Sequence, residues 1–393
     1  MAERETGGRP PTGMHGATAT GTWATDAAAR LHLSRPRRDE WSASTRWLSH
    51  SGVLIGVRSE NEKVLGSLAD FYHPYYSFAQ GRPPREPDIT LTLLVGNGRN
   101  PAPVPFTDMR IFRRRPDAHT SAGEWRLMAR DDADIVIAVD DDRRDVTILG
   151  SSADEVHLQA RVLLRDQILQ RVEHAAGSRV FHAAAAARGG HGLVVMGDRN
   201  CGKTTALLSL LGAGTYDFVT ADRLSLVPDE HGRIVMEGVP ARANVHEIAF
   251  APGQPLHGLT DGVDWEGAVE GKVLVDVQAL TAHFGARAVA RAEPALILLP
   301  QIDPTAVAPR TEVIEDGTRG RELIRRNLLE GDVPGNTHQP WLGLVTAGAS
   351  RQAGVSVDTM LDRLTRQCRL LAFSGTYAAY TDWLTTVARW ETA

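Results

Sequence analysis

The sequence predicts an α/β protein: strands and helices alternate around a glycine-rich loop in its second half, and a small α+β domain precedes them. Three observations carry this expectation. An apolar strand, Leu193-Val-Val-Met196, runs into Gly197-Asp198-Arg199-Asn200-Cys201-Gly202-Lys203-Thr204, and an apolar helical segment follows to Leu211. From residue 180 onward apolar runs and helical patterns succeed one another, as a layered α/β domain requires. Between about 45 and 150 the pattern is instead one of short alternating segments with a single helix.

Residues 1–40 are rich in Gly, Thr, Ala, Pro and Arg and have no period, which predicts a disordered tail. The small α+β domain is placed at 41–150. Ser51–Ser59, Asp88–Val95 and Met109–Arg113 read as strands, and Asn61–Tyr72 as a helix. Ile135–Val139 and Asp145–Leu149 flank an Asp/Arg-rich turn and read as a hairpin. A connecting helix is expected within 151–177. It runs from Ala153 to Ala176, with Val156, Leu158, Val162, Leu163, Ile168, Leu169 and Val172 on one face and Gly177 as its stop.

The nucleotide-binding domain is placed at 178–393. Its expected strands are Val180–Ala187, Gly192–Met196, a continuous Phe218–Val227 carrying an acid, Arg233–Glu237, and Ala295–Leu299 ended by Pro300. Helices are expected at 204–211 and near 274–284, 318–330, 357–366 and 377–390.

With 393 residues and 42% hydrophobic content, the chain can bury a sizeable core in two or three domains. A net charge of -5 argues against nucleic acid as a partner, because such binders carry a basic excess. No apolar run approaches the roughly 18 residues of a membrane span, and no secretory leader is evident, so a cytoplasmic protein without membrane attachment is expected. The two cysteines, Cys201 and Cys368, fit a reducing compartment, since Cys201 lies inside the glycine-rich loop.

That loop matches G-x-x-x-x-G-K-[ST] and has the strand before it and the helix after it that a phosphate-binding P-loop needs. Gly197 and Gly202 permit close backbone approach, and the helix start adds unpaired N–H groups and a positive dipole end. In this reading Gly197 to Thr204, together with Thr205, cradle a nucleoside triphosphate. Lys203, one of only three lysines in the chain, reaches its β- and γ-phosphates, and Thr204 offers a hydroxyl to Mg²⁺. A second Mg²⁺ ligand is expected from an acid at the end of a neighbouring strand. Asp222 has that setting; Asp303, between two prolines, is the competing choice. Cys201, near a helix start, has either a lowered pKa or no role beyond filling the loop.

Phe181-His182-Ala183, then the loop, then Thr220-Ala221-Asp222-Arg223, then Met236-Glu237-Gly238-Val239-Pro240 together resemble the HPr kinase/phosphorylase superfamily over about 180–305. The resemblance implies a P-loop domain of the HPr kinase/phosphoenolpyruvate carboxykinase type. It implies ATP and Mg²⁺ as cofactors and phosphorylation of a hydroxyl on a peptide or protein serine or on a small molecule. It also leaves a homo-oligomer open. The family's Asp-Asp pair is here Ala221-Asp222: the metal role carries over to Asp222, and the carboxylate base does not carry over to Ala221. His182 matches the family histidine and is a candidate catalytic residue beside Lys203 and Asp222. Glu237 and Glu247 are further candidates for the base, and Arg223 and Lys272 for phosphate contacts. Two other functions fit a P-loop: a nucleotide-binding regulator without transferase activity, motivated by Ala221, and an ATPase driving a partner.

Overall fold

The computed structural model describes residues 45–81, 83–96, 108–112, 115–122, 125–130, 135–140, 145–329 and 355–389; the tail expected at 1–40 lies outside them. The chain is mixed α/β. It opens with a hairpin of β1 (Thr45–His50) and β2 (Val53–Ser59). Ser51 and Gly52 form its turn with φ of 46° and 84°, the two positive values that suit a two-residue hairpin loop. The strand expected to begin at Ser51 therefore begins at Val53, and β1 ahead of it was not foreseen.

Helix α1 (Glu62–Tyr72) starts at Asn61, whose side chain accepts from the Val64 amide, and buries Val64, Leu65, Leu68 and Tyr72. After β3 (Ser77–Gln80), β4 (Ile89–Val95) pairs parallel with β2. Five further strands follow: β5 (Asp108–Phe112), β6 (Arg115–Ala122), β7 (Trp125–Arg130), β8 (Ile135–Asp140) and β9 (Asp145–Gly150). They form an antiparallel meander whose β9 returns to pair parallel with β4. The result is one nine-stranded sheet in the order β3-β1-β2-β4-β9-β8-β7-β6-β5, in which β3, β6 and β7, like β1, were not foreseen. The hairpin expected at 135–149 is β8–β9.

Helix α2 (Ala153–Ala176) has the expected bounds, with Ser152 capping the Glu155 amide and Gly177 left-handed at φ 67°. It packs on α1, β9, β4 and β2, and it also meets the strands at 179–188 and 223–228; its Val156, Ala160, Leu163 and Leu164 are buried. Leu158, placed on the apolar face by sequence, is 52% exposed. The side chains of Ile168, Leu169 and Val172 lie outside the described residues.

The second sheet is built from β10 (Arg179–Arg188), β11 (His191–Met196), β12 (Asp217–Thr220), β13 (Arg223–Pro228), β14 (Ile234–Gly238), β18 (Arg291–Ile302), β19 (Arg310–Val313) and β20 (Arg369–Gly375). Along its centre, alternate residues face opposite layers. Ala184, Ala186, Leu193, Val195, Leu296 and Leu298 share a core with α3 (Lys203–Gly212) and α7 (Tyr377–Val387). Ala183, Ala185, Val194, Met196, Ile297 and Leu299 share another with α5 (Gly317–Arg325) and α6 (Val357–Gln367). A small sheet of β15 (Ala243–His246), β17 (Lys272–Val275) and β16 (Val263–Val269) lies beside them and leads into α4 (Val277–Phe284).

Two expected strands differ. The run 218–227 is broken at Ala221-Asp222 into β12 and β13, closed by a hydrogen bond from the Thr220 hydroxyl to the Arg223 carbonyl (2.7 Å). Strand β18 continues through Pro300 to Ile302 instead of ending there. Its partner β11 pairs only as far as Leu298. Beyond that point β18 is an edge on that side, where a missing amide N–H is tolerated.

The two sheets meet at a polar seam. Glu237, on β14, accepts from His50 Nε2 (2.9 Å) and from the Ser51 hydroxyl (3.1 Å) of the first hairpin. Burial alone would raise the Glu237 pKa; the hydrogen bond and charge of His50, with Ser51, outweigh it and hold the carboxyl below its ordinary value. A depressed carboxylate stabilises the fold above its unfolded pKa of about 4.3, and that contribution is lost as pH falls through the lower folded value. Glu237→Gln is expected to cost about 2–3 kcal/mol at pH 7 and to remove this part of the acid-side loss. Urea unfolding of both proteins at pH 7 and pH 4 measures the two effects.

Candidate functional site

Strand directions assemble the site. β10 is antiparallel to both β11 and β12, so those two run the same way. β18 is parallel to β11, and β20 to β18. Across β12-β10-β11-β18-β20, four strands therefore release the chain at one edge, where ligands of open α/β sheets sit. β12 releases Asp222, β11 the loop 197–202, β18 Asp303, and β20 Tyr377.

The loop is held by close contacts that its glycines permit. A Cβ on Gly197 would lie 2.7 Å from Cys201 Sγ and 3.2 Å from the Pro300 carbonyl. Gly202 has φ 98°, and a Cβ there would meet the Tyr380 ring at 2.5 Å. Gly202 is also the N-cap of α3 and supplies no side-chain cap, which leaves first-turn N–H groups for an anion. Lys203 folds over the loop, donating from Nζ to the Gly197 (2.7 Å) and Asp198 (2.9 Å) carbonyls. Burial draws its pKa down, opposed by the nearby Cys201, Asp222 and Asp198. The Thr204 hydroxyl faces the Asn244 carbonyl at 3.5 Å, and that of Thr205 faces the Tyr377 hydroxyl at 3.3 Å.

The β16–β17 turn leans on the same loop. Glu270 pairs with Arg199, and Lys272 Nζ donates to the Asn200 side chain at 3.1 Å. Lys272, a candidate phosphate contact from sequence, is thus brought beside the loop. Cys201 differs from one of its two readings. It is buried and its pKa is pushed up by that burial rather than lowered by the helix start, although Lys203 acts in the opposite direction.

Asp222 and His182 form a pair. His182 lies near the start of β10, and its Nδ1 is 3.2 Å from Asp222 Oδ1 and 3.1 Å from the Asp222 carbonyl. The Ala183 amide donates to that same carbonyl at 3.1 Å, so the backbone fixes the bend. Burial would raise Asp222, but the His182 hydrogen bond and the Arg223 charge hold its carboxyl below the ordinary value. Arg223, a candidate phosphate contact from sequence, is buried, with Nε 3.8 Å from Asp222 Oδ2. Ala221 packs its methyl against the apolar core.

The other acids point elsewhere. Asp303 is turned into its own loop, accepting from the Thr305 amide (2.8 Å) and hydroxyl (2.6 Å). Those bonds hold its carboxyl low. Both oxygens of Glu237 are engaged at the seam. Glu247 is exposed at the head of the short 3-10 turn Glu247–Phe250.

Sequence reasoning missed three contributors. Asn327, just past α5, is buried; its Oδ1 accepts from the Gly197 amide (2.8 Å) and its carbonyl from the His182 amide (2.8 Å). It ties the loop to the His182 strand, and no motif marks it. Asn327→Ala is expected to cost about 1–3 kcal/mol through the orphaned Gly197 amide, read as a lowered midpoint in urea. The fuller mobility of Gly197 should also weaken triphosphate binding several-fold by calorimetry. Tyr380, whose hydroxyl is 3.3 Å from the Gly202 carbonyl, and Tyr377 come from the last helix and are distant in sequence.

No family model matches the chain, and no curated protein matches it. Among solved structures it is similar to the structure of the Hpr(Ser) kinase/phosphatase from Coxiella burnetii. The two are 21% identical, with a TM-score of 0.22, over 35% of this chain and 78% of that one. A likeness that distant carries no argument about the chemistry of this chain. Among the described residues no helix is long and apolar enough to cross a membrane.

Proposed function

We propose that the protein is an ATP-dependent kinase that transfers a phosphoryl group to the hydroxyl of a peptide or protein serine or of a small molecule. The observation that carries this reading is the convergence at one sheet edge of the Gly197–Thr204 loop with the His182–Asp222 pair. Phosphoryl transfer needs little covalent help from a protein; positioning and charge neutralisation carry it.

In this reading the loop and the start of α3 hold the phosphates. Lys203 exchanges the Gly197 and Asp198 carbonyls for phosphate oxygens, which its flexible stem allows. The Thr204 hydroxyl and the Asp222 carboxylate are hard oxygen donors of the kind Mg²⁺ takes and would hold it. When bound, Mg²⁺ neutralises charge on the transferring group. His182 is oriented by Asp222 through Nδ1, leaving Nε2 to take the acceptor proton. The acceptor oxygen bonds to the γ-phosphorus, the bond to the ADP oxygen breaks, and the proton goes to His182. The nine-stranded unit, whose first hairpin bonds to Glu237, shapes the acceptor site or mediates assembly in this reading. A cytoplasmic setting without nucleic acid or membrane partners fits the charge and cysteine content.

Ala221 favours a second reading, a nucleotide-binding regulator without transfer. Incubation of the purified chain with γ-labelled ATP, Mg²⁺ and serine-bearing peptides or small hydroxylated acceptors separates the two. Label on an acceptor supports the kinase. Tight ATP binding with no transfer and no hydrolysis supports the regulator.

A further inference from the structure

Asp222 and Tyr377 lie on opposite sides of the loop. In the order β12-β10-β11-β18-β20, Asp222 follows a strand two places from β11 on one side, and Tyr377 follows a strand two places from β11 on the other. A triphosphate on the loop has a direction. Its γ end belongs with Lys203 and the metal ligands, which is the Asp222 side. The α-phosphate, sugar and base must then leave toward β20.

Tyr377 waits there. It is the first residue of α7, capped by Thr376, and its hydroxyl meets that of Thr205 at 3.3 Å. One turn on, Tyr380 is fully buried against Gly202, and its ring stacks with Trp383 beside Phe373. That packing anchors the helix start to the loop, yet the Tyr377 ring itself is 53% exposed. An exposed aromatic residue tied by its hydroxyl to Thr205 suits a flat base, and stacking of this kind is tolerant of base identity.

We propose that Tyr377 is the platform on which the base of a bound nucleoside triphosphate stacks, with Thr205 at the α-phosphate beside it. This rests on the reading of residues 197–204 as a triphosphate cradle. Calorimetry on the full chain with Mg-ATP and with Mg-tripolyphosphate, which lacks sugar and base, tests it. The wild-type chain should bind ATP about tenfold more tightly than tripolyphosphate. Tyr377→Ala should remove that difference, leaving tripolyphosphate affinity unchanged, and Tyr377→Phe should keep it.

Equal wild-type affinities would overturn the stacking role while leaving the cradle intact. Unchanged ATP affinity in Tyr377→Ala, or an equal loss in Tyr377→Phe, would do the same. A parallel loss of both ligands in Tyr377→Ala would mean loop damage and also overturn it. Binding of neither ligand by the wild-type chain would remove the cradle and this inference together. If Tyr377→Ala does not fold, the wild-type ratio and Tyr377→Phe still decide.

Discussion

Asp222→Asn is expected to reduce Mg²⁺-dependent turnover by about a thousandfold while ATP affinity falls less than about tenfold. The substitution removes a charge and keeps the shape, so His182 Nδ1 retains an oxygen partner at the position it now meets at 3.2 Å. What is lost is the anionic ligand proposed for the cation. The pKa of Asp222 lies below its ordinary value, because the His182 hydrogen bond and Arg223 outweigh burial. A depressed carboxyl keeps its stabilising charge above its unfolded pKa and loses it only as pH falls through the lower folded value. Mg²⁺ binding that depends on this carboxylate should therefore persist through mildly acid pH. Steady-state rates against Mg²⁺ concentration, paired with calorimetry, separate the metal effect from nucleotide binding. Full activity in the variant would move the metal role to Asp303.

Lys203→Ala is expected to weaken triphosphate binding by on the order of a hundredfold, with the fold retained. Lys203 is buried, and its ammonium is already poised over the loop by the Gly197 and Asp198 carbonyls. Removing it leaves those carbonyls without that donor, so the unfolding free energy should drop by no more than about 1–3 kcal/mol. Calorimetry with Mg-ATP gives the affinity and urea unfolding the stability. Unchanged ATP affinity would sink the assignment of the loop to phosphate.

The loop and its flanks were legible because their determinants are local. A strand, two glycines at set spacing, a lysine and an apolar helix are all written in consecutive residues. Helix α2 was legible to its ends for the same reason, with a serine cap at one end and a left-handed glycine at the other. The break at Ala221-Asp222 was not legible. Phe218–Val227 is apolar enough for one strand, and only pairing of both halves with a single long β10 bends it. Ser51 was read into a strand because Val53–Ser59 is strongly apolar, whereas β1, with polar residues interleaved, gives a weak period.

By itself the sequence determined the α/β character of the second half and the glycine-rich loop with Lys203 and Thr204, and it offered His182 and Asp222 as separate candidates; that the two meet was decided by the tertiary structure. It also determined the absence of an acid at Ala221. Only the tertiary structure decided that Glu237 is taken up by Ser51, that Asn327 holds the Gly197 amide, and that Tyr377 flanks Thr205. The physical reason is separation along the chain. Residues 130 to 186 positions apart meet only because the sheet order and direction deliver them to one edge or one seam. No local period in a sequence records which strands will become neighbours.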